Sequence, residues 1–341
     1  MFRDESRKPD FENLRLILEK KPAPRPVLFE FILSADKEKY LVGADYKTDT
    51  EFDRVVTTIK AFDSGGYDFA PIIVRGMEFA RKEQKEGATI SLNEGALITD
   101  RKSFESYPWP DEANADFSII SEAGKHLSEK AKFVAFSHDG ILENTIGIVG
   151  YENLCYMVYD NPELAAAVFR KVGELIYRYF CRCLEYDEVG AVLCNDDWGF
   201  STQTMLAPDL LRIHVFPWYK KIVEKAHALG KYAILHSCGY YYDIIDDVIE
   251  VMGFDGRQSY EDKIVPVEKA YRELHPRLAI LGGIDVDFLV RATSGEVYDR
   301  CKRMLHMTKE TGGYALGSGN SIPDYVPLEN YKALLRAALE E

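Results

Sequence analysis

His236 and Cys238 are the residues of this sequence whose types and spacing point most directly to chemistry. They lie at and just beyond the end of the apolar run "YAILH", and side chains two residues apart on a β-strand share one face. Imidazole nitrogen and thiolate sulfur are common zinc ligands, with bonds of about 2.0–2.3 Å, and a catalytic zinc keeps one position open beside three protein ligands. The pair therefore predicts part of a metal site. The alternative is a buried histidine beside an unreactive cysteine.

Polar side chains also follow the other apolar segments of the chain, more of them than core packing requires. Because the carboxyl ends of parallel strands meet at one edge of a sheet, they predict a polar, ligand-binding mouth. Asp196 and Asp197 are neighbours and must point in different directions, so one is predicted to face the mouth as base or ligand while the other caps a segment. The residues in chain order are Glu30, Arg75, His138, Asp139, Asn195, Asp196, Asp197, Trp198, His236, Cys238, Gln258, Asp285, Ser318 and Asn320.

Strand-like segments alternate with amphipathic helical segments, and this rhythm predicts an α/β protein with a parallel sheet. Eight strand candidates favour a (β/α)₈ TIM barrel, a single domain over residues 1–341 with an N-terminal helical extension. An open doubly wound sheet is the competitor, although no glycine-rich dinucleotide turn follows the first strand. The candidates are Pro26–Leu33, Asp68–Ile73, Lys132–Ser137, Val189–Asn195, Lys231–His236, Phe254–Gln258, Leu278–Gly283 and Gly313–Leu316.

The rhythm is interrupted by a polar, irregular insertion near residues 77–130, with a hairpin predicted around Leu92–Gly95. Long loops of this kind often cover a site, and a surface hairpin without function is the alternative. Tyr240–Tyr242 present a similar choice: they either line a pocket, with Tyr241 as a wall, or pack over the start of the next helix.

The composition limits the classes of partner. The chain has 42 Lys and Arg against 56 Asp and Glu, a net charge of −14, which argues against nucleic acid or an anionic membrane as the main partner. The apolar runs are strand-length, and the charged N-terminal segment has no apolar signal core, so we expect a cytoplasmic protein. Six cysteines in 341 residues do not indicate a disulfide framework. The oligomeric state stays open, with a homodimer as one option.

Five segments together resemble the uroporphyrinogen decarboxylase superfamily, and most closely its corrinoid-dependent methyltransferase branch. The resemblance spans roughly residues 10–340, is strongest in the C-terminal half and is weak between 77 and 130. It implies a (β/α)₈ barrel, in agreement with the strand count. The segments are "LHSCGYYYDIIDDVIEVMGFD" (235–255), "NDDWGF" (195–200), "LAPDLLRIHVFPWYKKIVEKAHALGK" (206–231), "ILGGID" (280–285) and "VPLENYKALLRA" (326–337).

The resemblance implies that His236 and Cys238 hold a zinc ion together with a later cysteine. Ser318 stands where that third ligand is expected, and a neutral hydroxyl is a poor zinc ligand beside a thiolate. Another group must then complete the site, or the metal is weakly bound. The candidates for the replacement are Glu30, Asp197, Gln258 and Asn320.

The implied function is transfer of a methyl group between a small methylated substrate and the cobalt of a corrinoid. The corrinoid would be carried by a separate protein, because the chain has no Asp-x-His-x-x-Gly motif. His236 with Asp196 or Asp197 would do the chemistry, and Arg75 could pair with a substrate carboxylate. The residues expected to contact substrate are Glu30, Arg75, His138, Trp198, Tyr241, Gln258, Asp285, Ser318 and Asn320.

Two other functions remain open at this point. The first is a metal-free carbon–carbon lyase of the decarboxylase type, but the arginine-rich stretch expected there is replaced by "EFILSADKEKY". The second is a ligand-binding relative without catalysis, which the serine at position 318 suggests.

Overall fold

The fold is built on one parallel sheet of seven strands in the computed structural model, which describes residues 7–81 and 96–340. The strands lie side by side in the order in which the chain forms them. A doubly wound sheet reverses its strand order at a switch point, and this sheet does not, so that alternative is wrong. The strands are β1 Phe69–Ile72, β2 Lys132–Phe136, β3 Val189–Asn195, β4 Tyr232–His236, β5 Gly256–Gln258, β6 Ala279–Leu281 and β7 Tyr314–Ala315.

Seven of the eight predicted strands are confirmed, and the first is not. In place of a strand, Pro26–Leu33 contains two isolated parallel bridges, Leu28 to Leu316 and Leu33 to Ile322. The physical reason lies in its neighbour, because β7 is only two residues long and offers a short ladder. The ring of Phe29 packs on Phe69 of β1 with 5.2 Å between centroids, so this segment lies between the two ends of the sheet.

Helices connect the strands. The longest, Pro162–Leu184, begins where the side chain of Asn161 accepts from the amide of Leu164 and proline occupies the first turn. The helices are α1 Phe11–Leu18, α2 Ala35–Val42, α3 Glu51–Gly65, α4 Arg101–Ser106, α5 Ile119–Gly124, α6 Ile141–Val149, α7 Tyr151–Asp160, α8 Pro162–Leu184, α9 Pro208–His214, α10 Phe216–Ala228, α11 Val267–Leu274, α12 Val286–Arg291, α13 Ser294–Thr308 and α14 Leu328–Leu339.

The stretches for which an extension and an insertion were predicted contain three of the α-helices given above. Helix α1 precedes the bridged segment, and α4 and α5 lie between β1 and β2. The hairpin predicted around Leu92–Gly95 falls outside the described residues. Among the described helices, none has the length and apolarity needed to cross a membrane.

Candidate metal centre

Three side chains with metal-ligand chemistry meet at the carboxyl edge of the sheet. The register pairs Asn195 of β3 with His236 of β4, so the loops that follow these strands start side by side. One ligand atom each from Asp197, His236 and Cys238 lies within 4.8 Å of the other two, the one such group found in residues 7–81 and 96–340. Asp197, one of the four candidates for the third ligand, therefore lies beside the predicted pair of His236 and Cys238.

The spacing within this triad fits a tetrahedral zinc. The Nε2 atom of His236 lies 3.6 Å from the Sγ atom of Cys238. Two ligands on a tetrahedral zinc, with bonds of about 2.05 Å to nitrogen and about 2.3 Å to sulfur, lie about 3.6 Å apart. The two donors are therefore already at the separation that a shared zinc ion requires.

The imidazole of His236 is held in the orientation and protonation state that a metal needs. Its Nδ1 lies 2.6 Å from Oε1 of Gln258, whose own Nε2 donates to the carbonyl of Asn320 at 2.6 Å. Since the glutamine oxygen must accept, Nδ1 carries the proton and the lone pair of Nε2 faces Cys238. Burial lowers the pKa of His236, which favours the neutral, ligating form.

The sulfur of Cys238 accepts two hydrogen bonds, from Nδ2 of Asn320 at 3.2 Å and from Oγ of Ser259 at 3.3 Å. Its backbone amide donates to Oδ1 of Asp197 at 2.7 Å. Burial, and then the charge of Asp197, raise the pKa of this thiol well above its ordinary value. A divalent cation between the carboxylate and the sulfur would reverse that preference, because it stabilises both negative charges. The donor set therefore fits zinc.

The two neighbouring aspartates diverge, as their adjacency predicted. Asp196 is fully buried on the opposite side from the triad, and its carboxylate accepts from the amides of Leu142 and Glu143 at the start of α6. The indole of Trp198 and the hydroxyl of Tyr219 also donate to it, at 2.8 and 3.0 Å. Asp196 thus caps a helix, and Trp198 is buried beside it, so the geometry does not support their predicted catalytic and substrate-binding roles.

This arrangement predicts that Asp196→Asn destabilises the fold. An amide has one acceptor oxygen where the carboxylate has two, so at least one buried donor loses its partner, at a cost of about 2 kcal/mol in the free energy of unfolding. Asp197→Asn should change that free energy by less than about 1 kcal/mol, since its oxygen can still accept from Cys238. Urea unfolding of the metal-free variants checks both values. Equal destabilisation by the two substitutions would contradict the assignment.

Ser318 and Glu30 face each other and not the triad. The backbone amide and the hydroxyl of Ser318 donate to the two oxygens of Glu30, the latter at 2.7 Å, and both residues are fully buried. The neighbouring Phe31 explains the direction, because its ring contacts His236 with 4.6 Å between centroids and so turns Glu30 to the opposite side. Burial raises the pKa of Glu30 to about 8. Neither the predicted contact of Glu30 with substrate nor that of Ser318 follows from this geometry.

Two further predicted contacts have other partners. Asp285 caps α12 by accepting from the amide of Phe288, and it also accepts from the amide of Asp262. Tyr241 is buried and stacks on Tyr242. These residues therefore shape the loops around the triad and do not line it.

A cavity of about 540 Å³ is lined by two of the predicted substrate contacts, Arg75 and His138, and is separated from the triad by Phe31. Its lining also includes Phe31, the residue that packs on His236, and Phe136, whose ring meets Phe31 edge-on at 5.7 Å. This volume is in the range of small-molecule sites. The cavity thus has an apolar side next to the triad and a polar rim.

Both rim residues already have acidic partners. Arg75 lies 3.2 Å from Glu51, and Nε2 of His138 lies 2.7 Å from Oε1 of Glu78. Asp139 likewise has a charged partner, because Arg81 pairs with it at 2.6 Å. Sequence reasoning missed Phe31, Ser259, Glu51 and Glu78 because their relevance depends on contacts between distant segments.

Comparison with known proteins gives a family and a fold. Residues 76–340 match the family model described as uroporphyrinogen decarboxylase (URO-D). A methyltransferase from Methanosarcina mazei has a TM-score of 0.70 and 17% identity, covering 96% of this chain and 97% of its own. A comparison with curated protein sequences gave no match. The chain therefore has the TIM-barrel-like α/β fold of this methyltransferase.

Two glycoside hydrolases are more distant structural matches. The β-glycosidase from the hyperthermophile Thermosphaera aggregans has a TM-score of 0.42 and 11% identity, covering 84% of this chain and 85% of its own. The intracellular xylanase from Thermoanaerobacterium saccharolyticum has a TM-score of 0.39 and 11% identity, covering 66% and 82%.

Proposed function

The chain belongs to the uroporphyrinogen decarboxylase family, and from that premise we propose that it is a zinc-assisted methyltransferase. It moves a methyl group between a small methylated substrate and the cobalt of a corrinoid carried by a separate protein. The observation that carries the proposal is the triad of Asp197, His236 and Cys238. Three protein ligands with one open position is the arrangement of a catalytic zinc, and metal-free decarboxylation has no need of it.

Asp197, His236 and Cys238 are the residues that would hold the metal. A zinc ion there supplies Lewis-acid polarisation of the oxygen, nitrogen or sulfur that carries or receives the methyl group. Gln258 keeps the Nε2 lone pair of His236 directed at the ion, and Asn320 donates to the sulfur of Cys238. These contacts fix the donor atoms in advance, so that little reorganisation is required when substrate arrives.

The neighbouring cavity is the proposed substrate site. Phe31 and Phe136 would pack against the apolar part of the substrate, next to the triad. Arg75, half-exposed at the rim, would exchange its contact with Glu51 for a carboxylate on the substrate where one is present. His138 would donate or accept a hydrogen bond at the same rim. The corrinoid carrier would then dock over the carboxyl edge of the sheet.

The finer statements about architecture and location are part of the same proposal. The bridged segment Pro26–Leu33 would occupy the position of the first of eight barrel strands, since it bridges to Leu316, directly after β7, and packs on β1. The whole chain would be a single domain. A cytoplasmic location would keep Cys238 reduced and able to bind metal.

Metal analysis combined with a methyl-transfer assay tests the proposal. We expect about one zinc per chain, and methylation of a purified corrinoid protein by a member of a panel of methoxy-aromatic, methylamine and methylthiol donors. Release of CO₂ from uroporphyrinogen by protein without metal would instead establish the decarboxylase alternative. Failure of every donor, with zinc bound or not, would overturn the methyltransferase proposal.

A further inference from the structure

Ser259 has a backbone conformation that serine rarely adopts. Its φ is 85°, in the left-handed region, and it is buried directly after β5. Among the described residues, one other non-glycine residue, Lys20, has a positive φ, and it lies far from the triad in a turn after α1. A conformation of this kind persists only where the surroundings hold it, and such residues cluster at functional sites.

Arg257 hydrogen-bonds to the backbone of Ser259. Its guanidinium donates to the carbonyl of Ser259 and to the carbonyl of Ser237, both at 2.7 Å. These two carbonyls belong to the loops after β5 and β4, so the arginine ties together the segments that carry Gln258 and Cys238.

The surroundings of Arg257 restrain the guanidinium that makes these two hydrogen bonds. The side chain is 1% exposed, and its guanidinium lies over the rings of Tyr241 and Tyr260, at 4.2 and 4.8 Å from their centroids. Within residues 7–81 and 96–340, no carboxylate lies at ion-pair distance from it, so the two carbonyls are its hydrogen-bonding partners in place of an acid. A planar group held between rings has little freedom to move.

The hydroxyl of Ser259 is aimed at the metal centre as a result. Its Oγ donates to the sulfur of Cys238 at 3.3 Å. We propose that Ser259, locked by Arg257, is a positioning residue that places the Cys238 sulfur for metal binding and stabilises its negative charge in the bound state. The inference rests on the proposed function, since it assigns to these two residues the task of supporting that metal ligand.

Packing alone does not explain these contacts. A serine placed only to fill space would adopt a negative φ at less cost, and its hydroxyl would have no need to reach the sulfur. Asn320 donates to the same sulfur from the loop after β7, so two donors approach from different strands and fix the sulfur in two directions. Partners of this kind commonly affect metal affinity 10- to 100-fold.

The test compares Ser259→Ala and Ser259→Gly in the full-length protein. Both variants lose the hydroxyl, but glycine accepts a positive φ without strain. We expect zinc affinity, measured by competition with a chelator, to fall about 10-fold in both. In the cobalt(II)-substituted protein, the sulfur-to-cobalt charge-transfer band should move to lower energy, because loss of a hydrogen bond raises the energy of the sulfur lone pair. Thermal unfolding should show the glycine variant to be at least as stable as the alanine variant.

Thr308→Val is the matched control, because it removes a buried hydroxyl that bonds only to carbonyls of its own helix, α13. It should leave both zinc affinity and the cobalt band unchanged. Wild-type affinity and an unshifted band in both Ser259 variants would overturn the inference while the proposed function stands. A wild-type protein that binds neither zinc nor cobalt would overturn the proposed function, and this inference with it.

Discussion

Cys238→Ala is expected to release zinc from the protein and to abolish methyl transfer. The substitution leaves two protein donors, Asp197 and His236, and a carboxylate with an imidazole does not retain zinc as three ligands do. Loss of a residue that only supports a ligand costs 10- to 100-fold in metal affinity, so loss of the ligand itself should cost more than about 100-fold. Metal content after dialysis and the rate of corrinoid methylation measure the two effects.

Stability provides the means of separating this effect from misfolding. Cys238 is half-buried in a loop, and its loss opens no large cavity in the core, so the metal-free variant should unfold close to the metal-free wild type. Cys181→Ala is the matched control, since Cys181 is also half-buried but lies on α8, away from the triad. Stoichiometric zinc in Cys238→Ala would show that Cys238 is not a zinc ligand and that the triad is not the metal site.

The juxtaposition of His236 and Cys238 could be predicted because it depends on local geometry alone. Residues two apart at a strand end share a face in any sheet, and the apolar run before them marks the strand. The divergence of Asp196 and Asp197 is local in the same way. Which of the two aspartates lies beside His236 and Cys238 is not local, because it depends on the amides of α6, which donate to Asp196 from a distant part of the chain.

Other features of the site depend on contacts that no local pattern contains. Ser318 was expected near the metal because of its position in the family motif, but the direction of its hydroxyl is set by Glu30, which is 288 residues away in sequence. The left-handed conformation of Ser259 is equally invisible, because serine has no intrinsic preference for it and the restraint comes from Arg257. Tertiary hydrogen bonds set both the direction of the Ser318 hydroxyl and the backbone conformation of Ser259, and sequence spacing does not encode such bonds.

Dependence on a distant partner also explains why the first predicted strand does not form. The composition of Pro26–Leu33 is that of a strand, and the segment lies where a barrel needs one. Strand formation, however, requires a partner ladder of matching length, and β7 provides only two residues. Propensity therefore identified the position of this segment in the fold but not its hydrogen-bond pattern.

The stability of the protein should fall as pH rises from about 5 to 8, and Glu30 should be a main cause. Burial raises the pKa of this carboxyl from 4.5 to about 8, and among the described residues no cation contacts it. Between these values the folded state holds a proton that the unfolded state has released, so each pH unit costs up to about 1.4 kcal/mol of the free energy of unfolding. The contribution of Glu30 over this window is on the order of 4 kcal/mol, and this contribution should level off above about pH 8.

Glu30→Gln isolates this contribution, because glutamine is close to the protonated carboxyl in shape and cannot ionise. Burial also raises the pKa of Asp196 and that of Glu143, so a slope of the same sign should remain in the variant. The difference in unfolding free energy between variant and wild type should therefore grow in favour of the variant from pH 5 to pH 8. Glu310→Gln, at an exposed position, should keep the wild-type pH dependence. The pH dependence of both proteins is measured by urea unfolding. Parallel curves for Glu30→Gln and wild type would mean that Glu30 has a compensating charge partner or access to solvent. The contact of Glu30 with Ser318 would then not be buried as described above.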